Sequence, residues 1–269
     1  MSVECLERVY WQLERFMVPG LKDAQDSYAE SLGAYVQAHT AWLDLGCGHQ
    51  VLPTWRGTTE EALVSRPKRV VGVDRVLTSL KRHVTISHLA VADIAHVPFA
   101  GETFDLVTAN MVVEHLPEPE RLFREVQRIM KPGGVFLFHT PNALGYSTLA
   151  ARLLPEQLKA PLIRLIEGRC SDDVFSTHYR VNTSQAIERL ARLVGLETES
   201  IQLVPSRAEF MRFPPLAVIE LLWIRLLQRE RFRALRPNII AALRKRSPGP
   251  APSRRRGDRA WNANSKPCL

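Results

Sequence analysis

Apolar residues along the first 204 positions fall into two kinds of pattern. Short, nearly continuous apolar runs bounded by glycine, proline or charged residues predict buried strands. These runs cover residues 41–45, 69–74, 88–91, 104–109 and 135–139. Runs in which apolar residues recur at spacings of three and four predict helices with one buried face, most clearly over residues 117–131. Strands that alternate with helices in this way predict a parallel sheet covered by helices on both faces.

The segments that flank these elements predict a helical cover and a further strand. Residues 3–18 and 22–38 have helical patterns separated by a Pro-Gly pair, and they precede the first strand. Thr183 can cap a helix that ends at Gly195. The alternation over residues 197–204 then predicts a sixth strand.

Two segments with less regular patterns predict a lid over the sheet. Residues 144–167 suit one or two helices, and a polar loop follows to residue 180. A long amphipathic helix is expected over residues 216–231. The apolar run at 238–243 is interpreted as a final strand, although its alanines also suit a helix.

Small and polar residues stand at the carboxyl ends of the predicted strands. Right-handed crossovers place these ends at one edge of a parallel sheet, where such sheets bind ligands. We therefore expect one cleft to be lined by Asp44, Gly46, Cys47, Gly48, Asp74, Asp93, Asn110 and His139. Because glycine has no Cβ atom, the two glycines let a nucleotide-like ligand lie against the main chain.

A glycine turn after a strand also occurs in nicotinamide dinucleotide sites. Such a site requires a third glycine three residues after the second, so that helix and strand pack closely around a pyrophosphate. That position is occupied by Val51, which weakens this alternative.

The composition is that of a globular protein. A chain of 269 residues with 45% hydrophobic residues can bury a large core. The amino terminus lacks the pattern of a secretory signal, and no apolar run reaches the roughly 20 residues that a transmembrane helix needs. The four cysteines form no C-x-x-C pair, which fits a reducing compartment and argues against both a disulfide framework and a structural zinc site. We expect a cytoplasmic protein.

The net charge of +8 is concentrated at the carboxyl end. From Arg244 onward there are eight basic residues and one acidic residue, and residues 205–243 contain seven basic and three acidic residues. Residues 1–204 therefore carry a net charge of −3, and we expect no nucleic-acid partner for them. The segment 247–269 is interpreted as a disordered, solubilising basic tail whose charge would attract anionic lipid or nucleic acid.

Six short motifs occur together in one order and spacing. They are D-L-G-C-G at 44–48, V-G-V-D at 71–74, A-D-I at 92–94, V-P-F-A-G-E-T-F-D-L-V at 97–107, E-H-L at 114–116 and K-P-G-G at 131–134. With these motifs the chain resembles the class I S-adenosylmethionine-dependent methyltransferases, in particular the small-molecule group that includes the quinone-pathway enzymes. The resemblance covers residues 40–204 and extends to about 246.

The resemblance implies a Rossmann-like α/β fold with a seven-stranded, mostly parallel sheet. Residues 1–39 would form an N-terminal helical cover over a methyltransferase domain at 40–246. Lid insertions near 143–180 and 205–237 would enclose the substrate, and 247–269 would be the tail.

The resemblance also implies a role for each residue that follows the first two strands. The turn at Gly46, Cys47 and Gly48 would receive the amino-acid portion of S-adenosyl-L-methionine, with Asp44 ordering the loop. Asp74 would accept hydrogen bonds from both ribose hydroxyls, because two neighbouring hydroxyl donors match a carboxylate.

The remaining implied cofactor contacts follow the third and fourth strands. Asp93 would accept from the exocyclic amine of adenine, and the backbone N–H of Ile94 would address a ring nitrogen. Asn110 and Met111 would line the cofactor.

Three histidines are candidates for a catalytic base. Methyl transfer from a sulfonium is an in-line displacement that depends mostly on holding the reactants together, and a base is needed only when the nucleophile loses a proton. Histidine suits that role near neutral pH. We rank His178 and His115 above His139, because a histidine in a loop or at a strand end reaches substrate more freely.

The acceptor is expected to be a small, fairly apolar molecule that is methylated at oxygen. The helix over 216–231 either packs in the core or a homodimer, or contacts a lipidic or membrane-associated acceptor. Two other functions stay open. One is a non-catalytic regulatory or scaffold protein that binds S-adenosylmethionine. The other is a nucleic-acid methyltransferase, which is disfavoured by N-M-V-V at 110–113 in place of an N-P-P-Y tetrad.

Overall fold

The computed structural model describes residues 3–53, 57–153, 177–211 and 213–247. Seven strands in these ranges are β1 (Ala41–Leu45), β2 (Arg69–Asp74), β3 (His88–Val91), β4 (Phe104–Asn110), β5 (Met130–Pro141), β6 (Leu196–Val204) and β7 (Asn238–Lys245). They form one sheet in the order β3, β2, β1, β4, β5, β7, β6. The first five strands pair in parallel, and β7 runs antiparallel to β5 and β6. The predicted Rossmann-like sheet is confirmed, and residues 238–243 lie in a strand rather than a helix.

Helices cover both faces of this sheet and its carboxyl edge. The α-helices of the described residues are α1 (Val3–Met17), α2 (Ala24–Tyr35), α3 (Gly57–Val64), α4 (Leu77–Leu80), α5 (Pro119–Ile129), α6 (Tyr146–Leu153), α7 (Ser184–Val194) and α8 (Pro214–Leu227). Short 3₁₀ helices span Val113–His115 and Glu230–Leu235. The predicted ends of α7 are confirmed: Thr183 accepts a hydrogen bond from a first-turn amide, and Gly195 adopts a left-handed conformation with φ of 80°.

Two predicted helix boundaries are wrong. α5 ends at Ile129, because Met130 is already extended and begins β5. The K-P-G-G motif at 131–134 therefore lies within β5. The helix expected to reach residue 231 ends at Leu227, and a 3₁₀ helix follows it.

The sheet buries apolar side chains on both faces. On one face α2 packs Tyr28 and Leu32 into a cluster that contains Trp42. On the other face α5 packs Phe123 edge-on against the rings of Phe136 and Phe138. Helices cover both faces of the sheet, so the central strand β1 is buried along its whole length.

The insertions at the carboxyl edge are fastened to each other where they join the sheet. Asn142 follows β5, and its Nδ2 donates to the carbonyls of Ala234 and Arg236 at 2.9 and 2.7 Å. A Cβ on Gly145 would stand 2.6 Å from the Cα of Pro237, so the two backbones are in close contact. The turn after β5 and the segment that enters β7 therefore form one packed unit.

The helix α8 is apolar on two faces. Its inner face buries Leu221 and Ile224 in a cluster with Tyr10 of α1. Helical spacing alone predicts one apolar face, formed by Leu216, Ile219, Leu222, Trp223, Leu226 and Leu227. In the structure, Ile219 is 64% exposed and Leu222 is 55% exposed, whereas Leu227 is buried.

Part of the predicted lid and of the tail lies outside the described residues, namely residues 154–176 and 248–269. Among the residues that are described, every helix is too short or too polar to cross a bilayer.

Candidate active site

The turn after β1 brings backbone N–H groups to the carboxyl edge of the sheet. Gly46 and Gly48 have φ angles of 67° and 55°, which favour glycine. A Cβ on Gly46 would stand 2.5 Å from a methyl group of Val112, so a larger residue does not fit there. Gly48 faces open space where a Cβ would lie, and its N–H donates to Asp74 Oδ2 at 2.9 Å. A ligand can therefore approach the main chain at Gly48.

Two backbone amides hold the carboxylate of Asp74 at the end of β2. Oδ1 accepts from the N–H of Val76 at 2.8 Å, and Oδ2 accepts from Gly48. Each carboxylate oxygen has room for about two hydrogen bonds. Asp74 can therefore accept one further hydrogen bond on each oxygen, which is what a pair of neighbouring hydroxyls requires.

Asp93 and Ile94 follow β3 next to this carboxylate. The N–H of Ala92 donates to the carbonyl of Asp74 at 3.2 Å and so joins the two strand ends. Asp93 is exposed and its Oδ1 accepts from the N–H of Ala95 at 3.0 Å, whereas the side chain of Ile94 is buried. A ligand can therefore meet the carboxylate of Asp93 and the backbone of Ile94.

Asp44 and Cys47 have buried side chains that support the turn from beneath. Asp44 Oδ1 accepts from Thr108 Oγ1 at 2.5 Å, and burial raises the pKa of this carboxyl to about 7. Cys47 Sγ lies 2.8 Å from the position of a Cβ on Gly72, so that glycine leaves the room that the thiol occupies. Burial also raises the pKa of Cys47. Both side chains are therefore enclosed, and the roles of Asp44 and Cys47 in cofactor binding stay predictions.

A polar cluster lies at the end of β4. Asn110 Oδ1 is 2.9 Å from His139 Nδ1, and Asn110 Nδ2 donates to Gln25 Oε1 of α2 at 3.1 Å. Met111 has a φ of 56°, and its N–H donates to the carbonyl of His139 at 2.9 Å. Its side chain is 38% exposed. α2 thus contacts the strand end that is predicted to line the cofactor.

The imidazole of His139 is enclosed and does not face an open cleft, which contradicts the sequence-based expectation. The residue is 2% exposed, and its Nε2 is 3.1 Å from Asn238 Oδ1. Burial lowers its pKa to about 4. With both ring nitrogens engaged, His139 is excluded as the catalytic base.

The other two histidines lie on adjacent segments. The N–H of His178 donates to the carbonyl of Glu114 at 2.7 Å, which holds the segment before α7 beside the turn that contains His115. His178 is exposed, and the side chain of His115 is 30% exposed. Both imidazoles are accessible, and their catalytic roles stay predictions.

Glu114 lies beside both of these histidines, and the sequence alone predicts no role for it. Its side chain is buried, and Oε2 accepts from Thr140 Oγ1 at 2.9 Å, which in turn accepts from Asn182 Nδ2 at 2.7 Å. Burial raises the pKa of Glu114 to about 7, although hydrogen bonds from its own backbone and from Thr140 oppose that shift. The signal in the sequence was an acidic residue inside the E-H-L motif, directly after an apolar pair.

These residues fit S-adenosylmethionine, because the main chain is open at Gly48 and the carboxylate of Asp74 is oriented with spare acceptor positions. A family model described as a methyltransferase domain matches residues 21–201, which is more than half of the chain. This chain belongs to the class I S-adenosylmethionine-dependent methyltransferases. S-adenosylmethionine is the cofactor of this methyltransferase.

Two curated relatives show the range of its similarities. Malonyl-[acyl-carrier protein] O-methyltransferase of Methylovorus sp. (strain MP688) is 28% identical over 140 residues, which are 48% of this methyltransferase and 45% of the relative. Ubiquinone biosynthesis O-methyltransferase of Pseudomonas fluorescens (strain SBW25) is 32% identical over 108 residues, which are 37% and 44% of the two chains. The chain thus spans less than half the length of these relatives.

Solved structures share the fold at lower identity. An S-adenosylmethionine-dependent methyltransferase from Mesorhizobium loti has a TM-score of 0.54 and 18% identity, covering 82% of this chain and 98% of that one. The [4+2]-cyclase SpnF has a TM-score of 0.52 and 16% identity, covering 83% and 82%. Since these two names describe different reactions, the likeness establishes the fold alone.

Proposed function

We propose that this protein transfers a methyl group from S-adenosylmethionine to an oxygen atom of a small, fairly apolar acceptor. The observation that supports the proposal most is the hydrogen bond between Gly48 and Asp74 at the carboxyl edge of the sheet. It orients a carboxylate for the ribose beside a main chain that is open to the amino-acid portion of the cofactor. Both curated relatives are named O-methyltransferases, which favours oxygen as the acceptor atom.

The layer over the carboxyl edge suits an apolar acceptor. α1 lies within the proposed cover at 1–39, and α8 lies within the proposed insertion at 205–237. Partly exposed aromatic and sulfur-containing side chains occur where these segments pack together, namely Trp11, Tyr146, Met211 and Trp223. Pockets for small molecules are mostly apolar with a few placed polar groups.

The proposed contacts assign each part of S-adenosylmethionine to residues at one of four strand ends. Gly46, Cys47 and Gly48 hold the amino-acid portion, and Asp74 holds the ribose. Asp93 would accept a hydrogen bond from the exocyclic amine of adenine, and the backbone N–H of Ile94 would address a ring nitrogen. Asn110 and Met111 would line the cofactor. When bound, S-adenosylmethionine supplies a methyl group on a positively charged sulfur.

His178 and His115 are proposed to receive the proton of the acceptor hydroxyl. Both imidazoles are accessible from solvent, and the hydrogen bond from His178 to Glu114 keeps their segments together. A positioned base contributes about 10² to 10⁴ in rate, and alignment of the reactants contributes the larger share.

The test combines calorimetry with transfer of a labelled methyl group. We expect the full chain to bind S-adenosylmethionine and, with fractionated host extract, to place label from the cofactor on a small organic-soluble compound. Binding without transfer across all fractions would indicate a cofactor-binding subunit instead. Label on protein or nucleic acid alone would overturn the assigned acceptor class.

We further propose that the outer face of α8 contacts an anionic membrane surface from which the acceptor is taken. Leu216, Ile219 and Leu222 on this face are between 47% and 64% exposed, and Phe16 of the adjacent α1 is 85% exposed. Exposed apolar residues beside basic residues are typical of interfacial helices, and Arg225 on the same helix is exposed.

Vesicle sedimentation tests the membrane contact. We expect binding to vesicles of mixed phosphatidylglycerol and phosphatidylcholine, and its loss in the double variant Ile219→Asp, Leu222→Asp. Leu193→Asp is the matched control, because Leu193 is 62% exposed on α7 instead. Equal sedimentation of all three proteins would exclude the outer face of α8 as the membrane contact. A concentration-dependent dimer that the double variant abolishes would assign this face to a homodimer interface instead.

A further inference from the structure

A continuous line of polar side chains crosses the carboxyl edge of the sheet. It begins on α2 with Gln25, passes through Asn110 at the end of β4 and His139 in β5, and continues to Asn238 and Ser206. The successive separations are 3.1, 2.9, 3.1 and 2.6 Å. The line therefore joins the N-terminal cover and the cofactor strand to the insertion between β6 and β7.

The last two members of this line stand at the two ends of the insertion. Ser206 follows β6 by two residues, and Asn238 is the first residue of β7. The residues between them include α8, which forms the layer over the active-site edge together with α1. The imidazole of His139 thus connects the side chain of Asn110 to both ends of this insertion.

The contacts of Asn110 indicate which nitrogen of His139 carries the proton. Asn110 Nδ2 lies 3.4 Å from the carbonyl of Val51, which can only accept, so the oxygen of Asn110 faces His139. The Nδ1 atom of His139 must then donate. Because burial lowers the pKa of His139 to about 4, the ring is neutral at pH 7 and Nε2 must accept.

Asn238 can provide the donor that Nε2 needs. Its Oδ1 lies near Nε2 and its Nδ2 near Ser206 Oγ. A 180° rotation of the Asn238 side-chain amide exchanges its oxygen and its nitrogen. Nδ2 then donates to Nε2 of His139, and the hydroxyl of Ser206 donates to Oδ1. Every hydrogen bond from Ser206 to Gln25 then points in the same direction.

We propose that His139 is a positioning residue that orients Asn110 toward the cofactor and couples cofactor binding to the base of the 205–237 insertion. The proposal rests on the proposed function, because it assigns Asn110 to the cofactor. His139 itself touches neither reactant. Its two ring nitrogens have separable tasks, Nδ1 toward Asn110 and Nε2 toward the insertion.

Two amide substitutions separate these tasks. The amide nitrogen of asparagine is attached at the position of Nδ1, so His139→Asn keeps a donor for Asn110 but does not reach Asn238. Glutamine extends to the position of Nε2, so His139→Gln keeps the link to Asn238 and loses the one to Asn110. Phe136→Leu, three residues earlier in β5, is the control for a core change outside this line.

The measurements are calorimetry with S-adenosylhomocysteine and hydrogen exchange of residues 205–211 and 228–237 in the full chain. In the wild type we expect binding to slow exchange in both segments. His139→Gln should weaken binding roughly three- to tenfold, the effect of one lost neutral hydrogen bond. The affinity of His139→Asn for S-adenosylhomocysteine should stay within about twofold of the wild-type affinity, since its hydrogen bond to Asn110 is kept. In this variant, binding should no longer slow hydrogen exchange in residues 205–211 and 228–237.

Each outcome bears on the proposal. If both amide variants behave like Phe136→Leu in both measurements, His139 only fills space and the proposal is wrong. If the wild type does not bind S-adenosylhomocysteine, the proposed function and this inference both fail. If it binds but exchange in the insertion does not change, the inference alone fails.

Nitrogen NMR of histidine-labelled protein gives an independent signature. At pH 7 we expect a neutral His139 with the proton on Nδ1, the less common tautomer in solution. Aromatic packing alone would not select this tautomer. A proton on Nε2 alone, or on both nitrogens, would overturn the assigned direction of the hydrogen bonds.

Discussion

The N–H of Gly48 donates a 2.9 Å hydrogen bond to the carboxylate of Asp74, and this bond joins the turn after β1 to the end of β2. The same carboxylate accepts from Val76 at 2.8 Å, so it is held from two sides. A carboxylate that is oriented before a ligand arrives loses little freedom on binding. The two strand ends therefore orient a carboxylate with spare acceptor positions, as the proposed contact with the ribose requires.

Asp74→Asn should weaken the binding of S-adenosylhomocysteine by about 10- to 100-fold, because hydrogen bonds to a charged group contribute about 1.5–3 kcal/mol. The amide nitrogen of asparagine would also face a backbone donor. Calorimetry measures the change. Asp105→Asn is the control, since Asp105 accepts from the amide of Ala41 and from Lys131 near the start of β4. Similar losses in both variants would assign the effect to stability instead of binding.

Gly46→Ala should destabilise the fold more than Gly20→Ala. Both glycines have positive φ, 67° and 76°, and the left-handed conformation costs a non-glycine residue about 1–2 kcal/mol. Only at Gly46 does the added Cβ meet a neighbour, the methyl group of Val112 at 2.5 Å. Overpacking adds about 1–3 kcal/mol. Urea unfolding of the two variants measures this difference, and equal losses would contradict the close contact.

The strand ends could be located from the sequence because their signals are local. Glycines in a turn and an aspartate after an apolar run, as at Gly48 and Asp74, indicate a strand end without knowledge of any partner. The partners of Asn110 could not be found in this way, since Gln25 is 85 residues away. The pairing of His139 with Asn238 spans 99 residues and depends on β7 being placed next to β5.

The sequence also did not reveal which of these side chains are buried. His139 looked like an accessible histidine at a strand end, and only the packing of α2 and β7 around it shows that it is enclosed. The outer residues of α8 looked like one apolar face, because helical spacing cannot tell which of two apolar faces meets α1. Such outcomes depend on tertiary contacts that a single periodic pattern does not specify.

The stability of the protein should fall as the pH rises from about 4.5 to about 7, because of Glu114. Its pKa is raised by burial from 4.5 to about 7, so in this interval the folded state holds a proton that the unfolded state has released. The penalty for ionising Glu114 is complete above pH 7 and amounts to at most about 3 kcal/mol.

Glu114→Gln isolates this effect, because glutamine keeps an oxygen for the hydroxyl of Thr140 and cannot ionise. Free energies of unfolding at pH 5 and pH 8 should differ less in this variant than in the wild type. Asp44→Asn should remove a second contribution, since burial also raises the pKa of Asp44 to about 7. Glu120→Gln, at an exposed salt bridge, should leave the difference unchanged. An unchanged difference in Glu114→Gln would show that Glu114 ionises normally.

Arg236→Lys should loosen the insertion between β6 and β7 while the sheet stays folded. The guanidinium donates to the carbonyls of Leu203, Leu227 and Gln228 at 3.0–3.1 Å and so closes the base of the insertion. A lysine has a single nitrogen and cannot reach all three carbonyls.

Hydrogen exchange measures this loosening, and we expect faster exchange at the end of α8 and in the following 3₁₀ helix. The matched control is Arg233→Lys, because Arg233 is exposed and forms a salt bridge with Glu230 at 3.7 Å, a contact worth about 0–1 kcal/mol. Exchange that rises equally in both variants would mean that Arg236 does not fasten the insertion.

The two accessible histidines can be distinguished by turnover under conditions that leave cofactor binding intact. If His178 is the base, His178→Ala should reduce methyl transfer by about 10²- to 10⁴-fold, the usual contribution of a positioned base, with unchanged affinity for S-adenosylhomocysteine. The same holds for His115→Ala if that residue receives the proton. His88→Ala is the control, because His88 is exposed at the start of β3. Unchanged transfer in both single variants and in the double variant would mean that neither His178 nor His115 acts as the base, and would favour alignment of the reactants as the source of catalysis.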